Sequence, residues 1–293
     1  MNTIPLPLPF TPTLESFLRS LVAKNRTSAT LTGYRSDVGA FLSWLCDTTP
    51  CAHPQDVTRA DVTEYLAERG AAGVSGLSRA RNLAAIKEYF RYLVDVSTLT
   101  SSPVDGIIPP KREKRGRNYL SQEAYTRLLQ LATGTPRDYA ILQVFLQTGI
   151  RVSELACLTV DDVDLDRGLL RVTGKGMADR DIPLNKKASA ALRLWLSARR
   201  PSEHRVLFTN RFGEPLGVRG IQKLVERYRC GAGLEKRITP HSLRHTFATH
   251  KARQGVNAFQ LRDYMGHATV ATTQLYVHLG QDEAKKVMEA TSL

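Results

Sequence analysis

Three prolines and a basic run interrupt the sequence between residues 98 and 118. Pro103, Pro109 and Pro110 each lack an amide donor and hold one backbone angle fixed, so no helix or central strand can run through them. Residues 111–118 (KREKRGRN) then carry five basic side chains and one acidic side chain. We therefore predict a basic linker over residues 101–118 between two domains, and a chain of 293 residues is long enough for both.

The sequence before this linker has the pattern of a small helical bundle. Residues 1–12 contain four prolines and are predicted to form a flexible arm. Between residues 13 and 100, apolar residues recur three and four positions apart, which indicates amphipathic helices. Residues that typically start a helix precede four such stretches: Thr13, Ser28 or Thr30, Thr58, and Ser78. The aromatic side chains of these helices are expected to pack in the core: Tyr34, Trp44, Tyr89 and Tyr92.

The sequence after the linker, residues 119–293, predicts a domain that mixes helices with a small sheet. Helix signals follow Ser121 and Pro136, and Gly149 is a typical residue at a helix end. Alternating apolar and polar residues predict three antiparallel strands at 162–165, 169–173 and 179–183, with turns at 166–168 and 174–176. The pattern becomes helical again from Asn185. The predicted fold class of the chain is mainly α with a small antiparallel β-sheet.

A last short helix is predicted at residues 281–290. Ala284, Val287 and Met288 lie on one face of it, and the charged residues lie elsewhere. A helix of about ten residues is unstable alone in water, so its apolar face is expected to dock on a protein surface.

The charge of the chain favours a polyanionic partner. The net charge is +13 and the pI is near 9.8. Residues 1–110 are balanced, with ten basic and ten acidic side chains, so the excess lies in the linker and the second domain.

Other features of the composition point to a cytoplasmic protein. The longest nearly apolar run, Tyr139–Ile150, is too short to cross a bilayer, and the N-terminus does not resemble a signal peptide. The four cysteines have neither C-x-x-C spacing nor a histidine pairing suited to zinc, which favours reduced thiols and predicts no metal site.

Six residues that could together cut a phosphodiester occur in a fixed order. Such a reaction without a metal needs a nucleophile, positive charge on the non-bridging oxygens, and an acid for the leaving oxygen. A phenol, two guanidinium groups, one amine and two imidazoles could supply these functions. They belong to Arg151 in TGIRVSEL, Lys175 in a Gly-Lys-Gly turn, and His241, Arg244, His267 and Tyr276 in the stretch 238–278.

Each of these residues also has an ordinary structural explanation. Arg151 could pair with Glu154 three positions later, and Lys175 could be an exposed turn residue. His241 could cap a helix, and Tyr276 could pack in a core. Ordinary structural explanations for all six residues together, at this spacing, are improbable. The remaining histidines, His245, His250 and His278, are interpreted as structural, and Tyr264 as a packing residue.

These motifs resemble the phage-integrase family of tyrosine recombinases, and in particular its short Xer-like members. The resemblance rests on TG-x-R-x-SEL, the GKG turn, HSLRHTFAT, and a Gly-His pair whose histidine lies nine residues before Tyr276; it extends from about Thr11 to the end. It implies a SAM-like core-binding domain at 13–100 and a catalytic domain at 119–293, whose tail helix would dock in a neighbouring protomer.

The resemblance also implies a role for each residue. Tyr276 would be the nucleophile that forms a 3′-phosphotyrosine and frees a 5′-hydroxyl. Lys175 would protonate the leaving oxygen, and His241 would assist the proton of Tyr276. The phosphate would be held by Arg151, Arg244 and His267, with Glu154 orienting Arg151. The phosphotyrosine conserves the bond energy, so the resemblance implies neither ATP nor a metal.

The function implied is site-specific recombination of double-stranded DNA at inverted-repeat sites. Strand exchange would pass through a Holliday junction in a cyclic tetramer on two DNA sites, in the nucleoid, with a partner recombinase or accessory protein as a possible participant. Two alternatives remain open: a type IB topoisomerase with similar chemistry, and a non-catalytic DNA-binding protein on the same fold. Assembly on two DNA sites distinguishes a recombinase from a topoisomerase.

Two groups of basic residues outside this site are candidate DNA contacts. Lys111, Arg112, Lys114 and Arg115 fit a strap along DNA phosphates better than a purely solvated linker in a DNA-binding protein. In the first domain, phosphate contacts and solvated faces explain the basic residues equally well: Arg35, Arg79, Arg81 and Lys87.

Overall fold

The computed structural model describes residues 10–49, 51, 53–111, 119–174 and 179–266. Backbone contacts divide the chain into two compact units, Met1–Arg115 and Gly116–Leu293. Most of the predicted arm, residues 112–118 of the predicted linker, most of the 174–176 turn and the predicted 281–290 helix lie outside the described residues.

Side-chain caps set the starts of the helices in the first unit. Its described residues contain α1 (Thr11–Ala23), α2 (Ser28–Thr48), α3 (Arg59–Ala71) and α4 (Gly76–Asp95), with a short 3₁₀ helix at Pro54–Asp56. The side chains of Thr27, Thr58 and Ser75 each accept a hydrogen bond from an amide in the first turn of the following helix. α1 begins before the predicted Thr13 because Pro12 is tolerated in a first turn.

The core of the first unit is rich in aromatic rings, as predicted. Tyr89 is fully buried, and Tyr34, Trp44 and Tyr92 pack against the same core. The Tyr89 hydroxyl lies 2.7 Å from Thr13 Oγ1, and burial raises the pKa of Tyr89 to about 12. These contacts tie α1 to α4.

The proline-containing segment after α4 belongs to the first unit. Val104 and Ile107 are 1% and 7% exposed and lie in its core. Lys87 Nζ donates to the Ile107 carbonyl at 2.8 Å. Prolines exclude regular structure here but not burial, so part of the predicted linker packs as an extension of the helical bundle.

The second unit surrounds one buried helix, α6. Its described residues contain α5 (Gln122–Ala132), α6 (Pro136–Thr148), α7 (Val152–Cys157), β1 (Val163–Asp164), β2 (Leu169–Thr173), β3 (Asp179–Pro183), α8 (Lys186–Ala198), α9 (Val218–Gly231), α10 (Pro240–Arg253) and α11 (Ala258–Met265). Eight residues from Ala140 to Thr148 are buried, and α6 packs against α5, α8 and α10.

The three strands form the predicted antiparallel sheet in the order β1-β2-β3. β2 and β3 have the predicted bounds, and Leu170 pairs with Ile182 and Val172 with Arg180. β1 is shorter than predicted because Val160–Asp162 forms a 3₁₀ turn whose Asp162 carboxylate accepts from the Thr159 amide. Leu170, Val172 and Ile182 are buried, so one face of the sheet joins the core.

Gly149 ends α6, as predicted, and brings the next segment close to α10. Its φ of +64° is in the left-handed region, where glycine is favoured. A Cβ at this position would lie 2.3 Å from Cδ1 of Phe247 on α10. The close approach places Arg151, two residues later, beside α10.

Among the described residues, no helix combines the length and apolar character required to cross a membrane. The four cysteines are free thiols: Cys46, Cys51, Cys157 and Cys230.

Candidate active site

Arg244 lies in the first turns of α10 and is 4% exposed. The helix is capped by Thr239, whose Oγ1 accepts from the Ser242 amide at 3.2 Å. The interpretation of His241 as the helix cap is therefore wrong, and His241 lies inside the first turn. Arg244 Nη1 donates to the Gly149 carbonyl and Nη2 to the Met265 carbonyl, both at 2.7 Å.

Arg151 lies at the start of α7 and is held by Glu154. Its Nη1 donates to Glu154 Oε1 at 2.7 Å, and its backbone amide donates to Glu154 Oε2 at 2.8 Å. Its Nη2 donates to the Gly266 carbonyl at 2.6 Å. The contact expected between Arg151 and Glu154 is present, so the carboxylate can fix the orientation of the guanidinium.

A second arginine, which the sequence analysis missed, also binds Glu154. Arg180 on β3 donates from Nη1 to Oε1 at 3.2 Å and from Nη2 to Oε2 at 2.9 Å. Its position in GKGMADRDIPL, one strand alternation from buried Ile182, was the available signal. Burial raises the pKa of Glu154, but hydrogen bonds from Arg180 and Arg151 outweigh this effect and hold the pKa below its usual value.

Three arginines meet at the C-terminal end of α11. The carbonyls of Tyr264, Met265 and Gly266 accept hydrogen bonds from Arg180 Nε, Arg244 Nη2 and Arg151 Nη2, respectively. The last carbonyls of a helix have no partner inside it and carry partial negative charge. The arginines therefore anchor the backbone at the residue before His267.

α11 is also held by packing on α10. Phe247 and Ala248 of α10 form a small core with Leu261 and Met265 of α11. Gly266 then ends α11 with a left-handed φ of +61°. Packing and hydrogen bonds thus fix the same helix end.

The structure places these residues in one unit: Arg151 directly before α7, Glu154 on α7, and His241 and Arg244 on α10. Arg151 and Arg244 are brought together because they bind adjacent carbonyls. Lys175, His267 and Tyr276 lie outside the described residues, as does His278. The roles of all six predicted catalytic residues, and of Glu154, stay predictions.

The histidines near this site have different surroundings. The rings of His241 and His245 lie 4.2 Å apart, edge to face, on one side of α10. His250 Nε2 lies 3.1 Å from the Leu120 carbonyl, and its ring packs against Tyr125. His250 thus has the structural surroundings predicted for it, and Tyr264 is half-buried at the end of α11.

The basic residues predicted to contact DNA in the first unit have partners within the protein. Arg35 pairs with Glu15, Arg81 forms two hydrogen bonds with Asp37, Arg79 donates to the Leu66 carbonyl and Lys87 to the Ile107 carbonyl. The side chains of Arg35 and Arg81 are 44% and 72% exposed, so both retain surface for another ligand. Lys111 is exposed, and Arg112, Lys114 and Arg115 lie outside the described residues.

We predict that Glu154→Gln lowers the free energy of unfolding of the second unit by about 2 kcal/mol at pH 7, because hydrogen bonds between charged groups contribute about 1.5–3 kcal/mol each. The folded-state pKa of Glu154 is lowered from 4.5, so its stabilisation is present above that pH and is lost as the pH falls below it. The difference from the wild type should therefore shrink in acid.

Urea unfolding followed by Trp195 fluorescence, with Trp44→Phe in every variant, measures this difference. The matched control is Glu214→Gln, whose side chain is 64% exposed and pairs with His204. This control should change stability by less than about 0.5 kcal/mol. A Glu154→Gln deficit that grows below pH 4.5 would contradict the prediction.

Comparison with known proteins identifies the family. Residues 118–283 match the phage integrase family, and residues 14–96 match the phage integrase N-terminal SAM-like domain. The tyrosine recombinase XerD of Bifidobacterium longum is 34% identical, with 93% of this chain and 94% of that protein covered. The tyrosine recombinase XerC of Pelotomaculum thermopropionicum is 33% identical, with 94% and 95% covered.

Solved structures show the same fold. The crystal structure of XerA recombinase aligns with a TM-score of 0.57 and 29% identity over 96% of this chain and 98% of that chain. XerH recombinase bound to a palindromic difH substrate aligns with a TM-score of 0.75 and 21% identity over 96% and 83%. The predicted fold class is confirmed, and the chain belongs to the phage integrase family of tyrosine recombinases.

Proposed function

We propose that this chain cuts and rejoins double-stranded DNA at specific sites through a 3′-phosphotyrosine at Tyr276. The observation that carries the proposal is the convergence of Arg151 and Arg244 on the end of α11, directly before His267. Two guanidinium groups that lie side by side can bind the non-bridging oxygens of a single phosphate. The position of Tyr276, nine residues after His267, supports its role as the nucleophile.

The proposed reaction is balanced without a cofactor. The Tyr276 phenolic oxygen attacks phosphorus, the new bond to phosphorus forms, and the bond to the 5′-oxygen breaks. His241 assists removal of the phenolic proton, and Lys175 donates a proton to the departing 5′-oxygen. Attack by a 5′-hydroxyl reverses these steps and rejoins the strand. Arg151, Arg244 and His267 offset the charge that develops on the phosphate oxygens.

The similar proteins favour recombination over a topoisomerase activity that only relaxes DNA. The relatives compared above are named as recombinases, and XerH was solved on a palindromic DNA substrate. Lambda integrase was solved as a dimer bound to a COC′ core site. These relatives support an inverted-repeat DNA site bound by two protomers. We further propose that a cyclic tetramer assembles on two DNA sites and exchanges strands through a Holliday junction. This reaction would take place in the nucleoid, and a partner recombinase or an accessory protein could take part in it.

The nucleophile is tested with a nicked duplex that carries the site found by footprinting this protein on the DNA of its own replicon. Loss of the short downstream fragment traps the covalent adduct. We predict that Tyr276→Phe abolishes the adduct, because phenylalanine has no nucleophilic oxygen, and leaves the DNA dissociation constant unchanged. The reaction is run in EDTA, because arginines, lysine and histidines supply the charge that a metal would give.

Tyr264→Phe is the matched control for this experiment and should form the adduct at the wild-type rate. An adduct that persists in Tyr276→Phe, maps to Tyr264, or requires added Mg²⁺ would refute the assignment.

The basic linker residues are proposed to bind DNA phosphates. We predict that replacing Lys111, Arg112, Lys114 and Arg115 with alanine weakens binding and reduces the slope of log affinity against log salt by up to about 3.6, since each phosphate contact contributes about 0.9. Binding measured at several salt concentrations gives the slope. The control variant exchanges lysine and arginine at the same four positions and should retain it. An unchanged slope in the alanine variant would show a solvated linker.

The C-terminal tail is proposed to dock in a neighbouring protomer. We predict that deleting residues 281–293 leaves binding to a single site largely intact but impairs tetramer assembly and recombination, because a ring of protomers needs each contact to close. Light scattering on two-site DNA and a plasmid recombination assay measure the two properties.

Two point variants separate the faces of the predicted tail helix. Val287→Asp should reproduce the deletion, whereas Lys285→Ala, off the apolar face, should behave as the wild type. Normal assembly and recombination by the truncated protein would overturn tail docking while leaving the cleavage chemistry untouched.

A further inference from the structure

Arg180 is a charged residue on the inward face of a strand. It lies on β3 directly opposite Val172, and Val172 and Ile182 on this face are buried. Its side chain is 16% exposed. A charged side chain on a buried sheet face is destabilising unless it has hydrogen-bond partners. The partners of Arg180 therefore indicate its role.

The partners of Arg180 come from two other parts of the unit. One end of its guanidinium forms two hydrogen bonds with the Glu154 carboxylate on α7. Its Nε donates to the Tyr264 carbonyl at the end of α11, at 3.2 Å. Arg180 therefore bridges α7, which begins directly after Arg151, and the helix end that precedes His267.

The guanidinium also lies against the backbone at Gly266. A Cβ at Gly266 would lie 2.8 Å from Arg180 Nη1 and 2.9 Å from Cζ. The left-handed glycine thus allows the helix end to approach the guanidinium directly. Lysine could neutralise Glu154, but it lacks the planar group that binds a carboxylate twice and a carbonyl once.

We propose that Arg180 is a positioning residue for DNA cleavage. It fixes Glu154, and through Glu154 the guanidinium of Arg151, relative to the backbone that leads into His267 and Tyr276. In this proposal Arg180 acts on the phosphate only through Arg151. Its effect is on the distance between the phosphate-binding arginine and the segment that carries the nucleophile. This inference rests on the proposed function.

The test compares Arg180→Lys and Arg180→Gln with Arg171→Ala. Arg171 lies on β2 of the same sheet, and its exposed side chain pairs with Asp181, so this control removes an arginine from the sheet without touching Glu154. Adduct formation is measured in a single turnover, at saturating concentrations of the nicked duplex described above. DNA affinity and thermal unfolding are measured for each variant.

We expect both Arg180 variants to form the adduct about 100-fold more slowly, because a misplacement of about 1 Å can have that effect. Their DNA affinity should stay within about threefold of the wild type, since phosphate contacts elsewhere dominate binding. Arg171→Ala should cleave at the wild-type rate.

A second substrate separates positioning from general structural damage. A methylphosphonate at the scissile position replaces a charged non-bridging oxygen with a methyl group, so less positive charge is needed there. The defect of the Arg180 variants should shrink on this substrate by about tenfold, as should the defect of Arg151→Lys, because one lost charge contact is worth about that factor.

Three results would overturn the inference. The first is a wild-type cleavage rate in the Arg180 variants. The second is an equal defect on both substrates. The third is loss of folding in both variants, which would show that Arg180 is required for the protein to fold. If the wild type and Arg171→Ala form no adduct, the proposed function itself fails, so the two failures are distinguishable.

Discussion

The interaction on which the site depends is the buried carboxylate of Glu154 between two arginines. A carboxylate with 4% exposure is unfavourable without partners, and here Arg151 and Arg180 provide them from different elements. Pairing this one charge holds α7 and β3 next to each other. The same guanidinium groups then have donors left for the end of α11. One buried charge therefore coordinates three separate parts of the chain.

This cluster contains more positive than negative charge. Arg151, Arg180 and Arg244 converge on one region, and such like charges repel each other. Glu154 offsets one of the three, and a helix C-terminus contributes roughly half a negative charge more. The sum remains positive, so the cluster should attract an anion. In the proposed reaction, the single negative charge of a phosphodiester would offset most of this excess.

Local sequence signals predicted the elements well, and contacts between distant residues were harder to predict. Alternation gave the bounds of β2 and β3, and Gly149 marked the end of α6, because these patterns depend on neighbouring residues. Thr239 rather than His241 caps α10, since the hydroxyl of the residue before Pro240 accepts from an amide. Val104 and Ile107 were assigned to a linker because prolines indicate backbone irregularity, not exposure.

Arg180 shows why the sequence could not predict the whole site. Its inward position on β3 follows from alternation, but its partner Glu154 is 26 residues earlier and Tyr264 is 84 residues later. No spacing rule relates these positions. Arg151 and Glu154, three residues apart, were predictable as a pair because the contact is local.

The anchor at the end of α11 consists of backbone oxygens, and this affects how the sequence can vary. Carbonyls are present whatever the side chain, so a substitution at Tyr264 would leave the hydrogen bond from Arg180 available. Gly266 is different, because its left-handed backbone strains any residue with a side chain, and a Cβ there would displace the Arg180 guanidinium. Selection on this helix end should therefore act on one glycine and three arginines, while the exposed side chains of α11 are freer to vary.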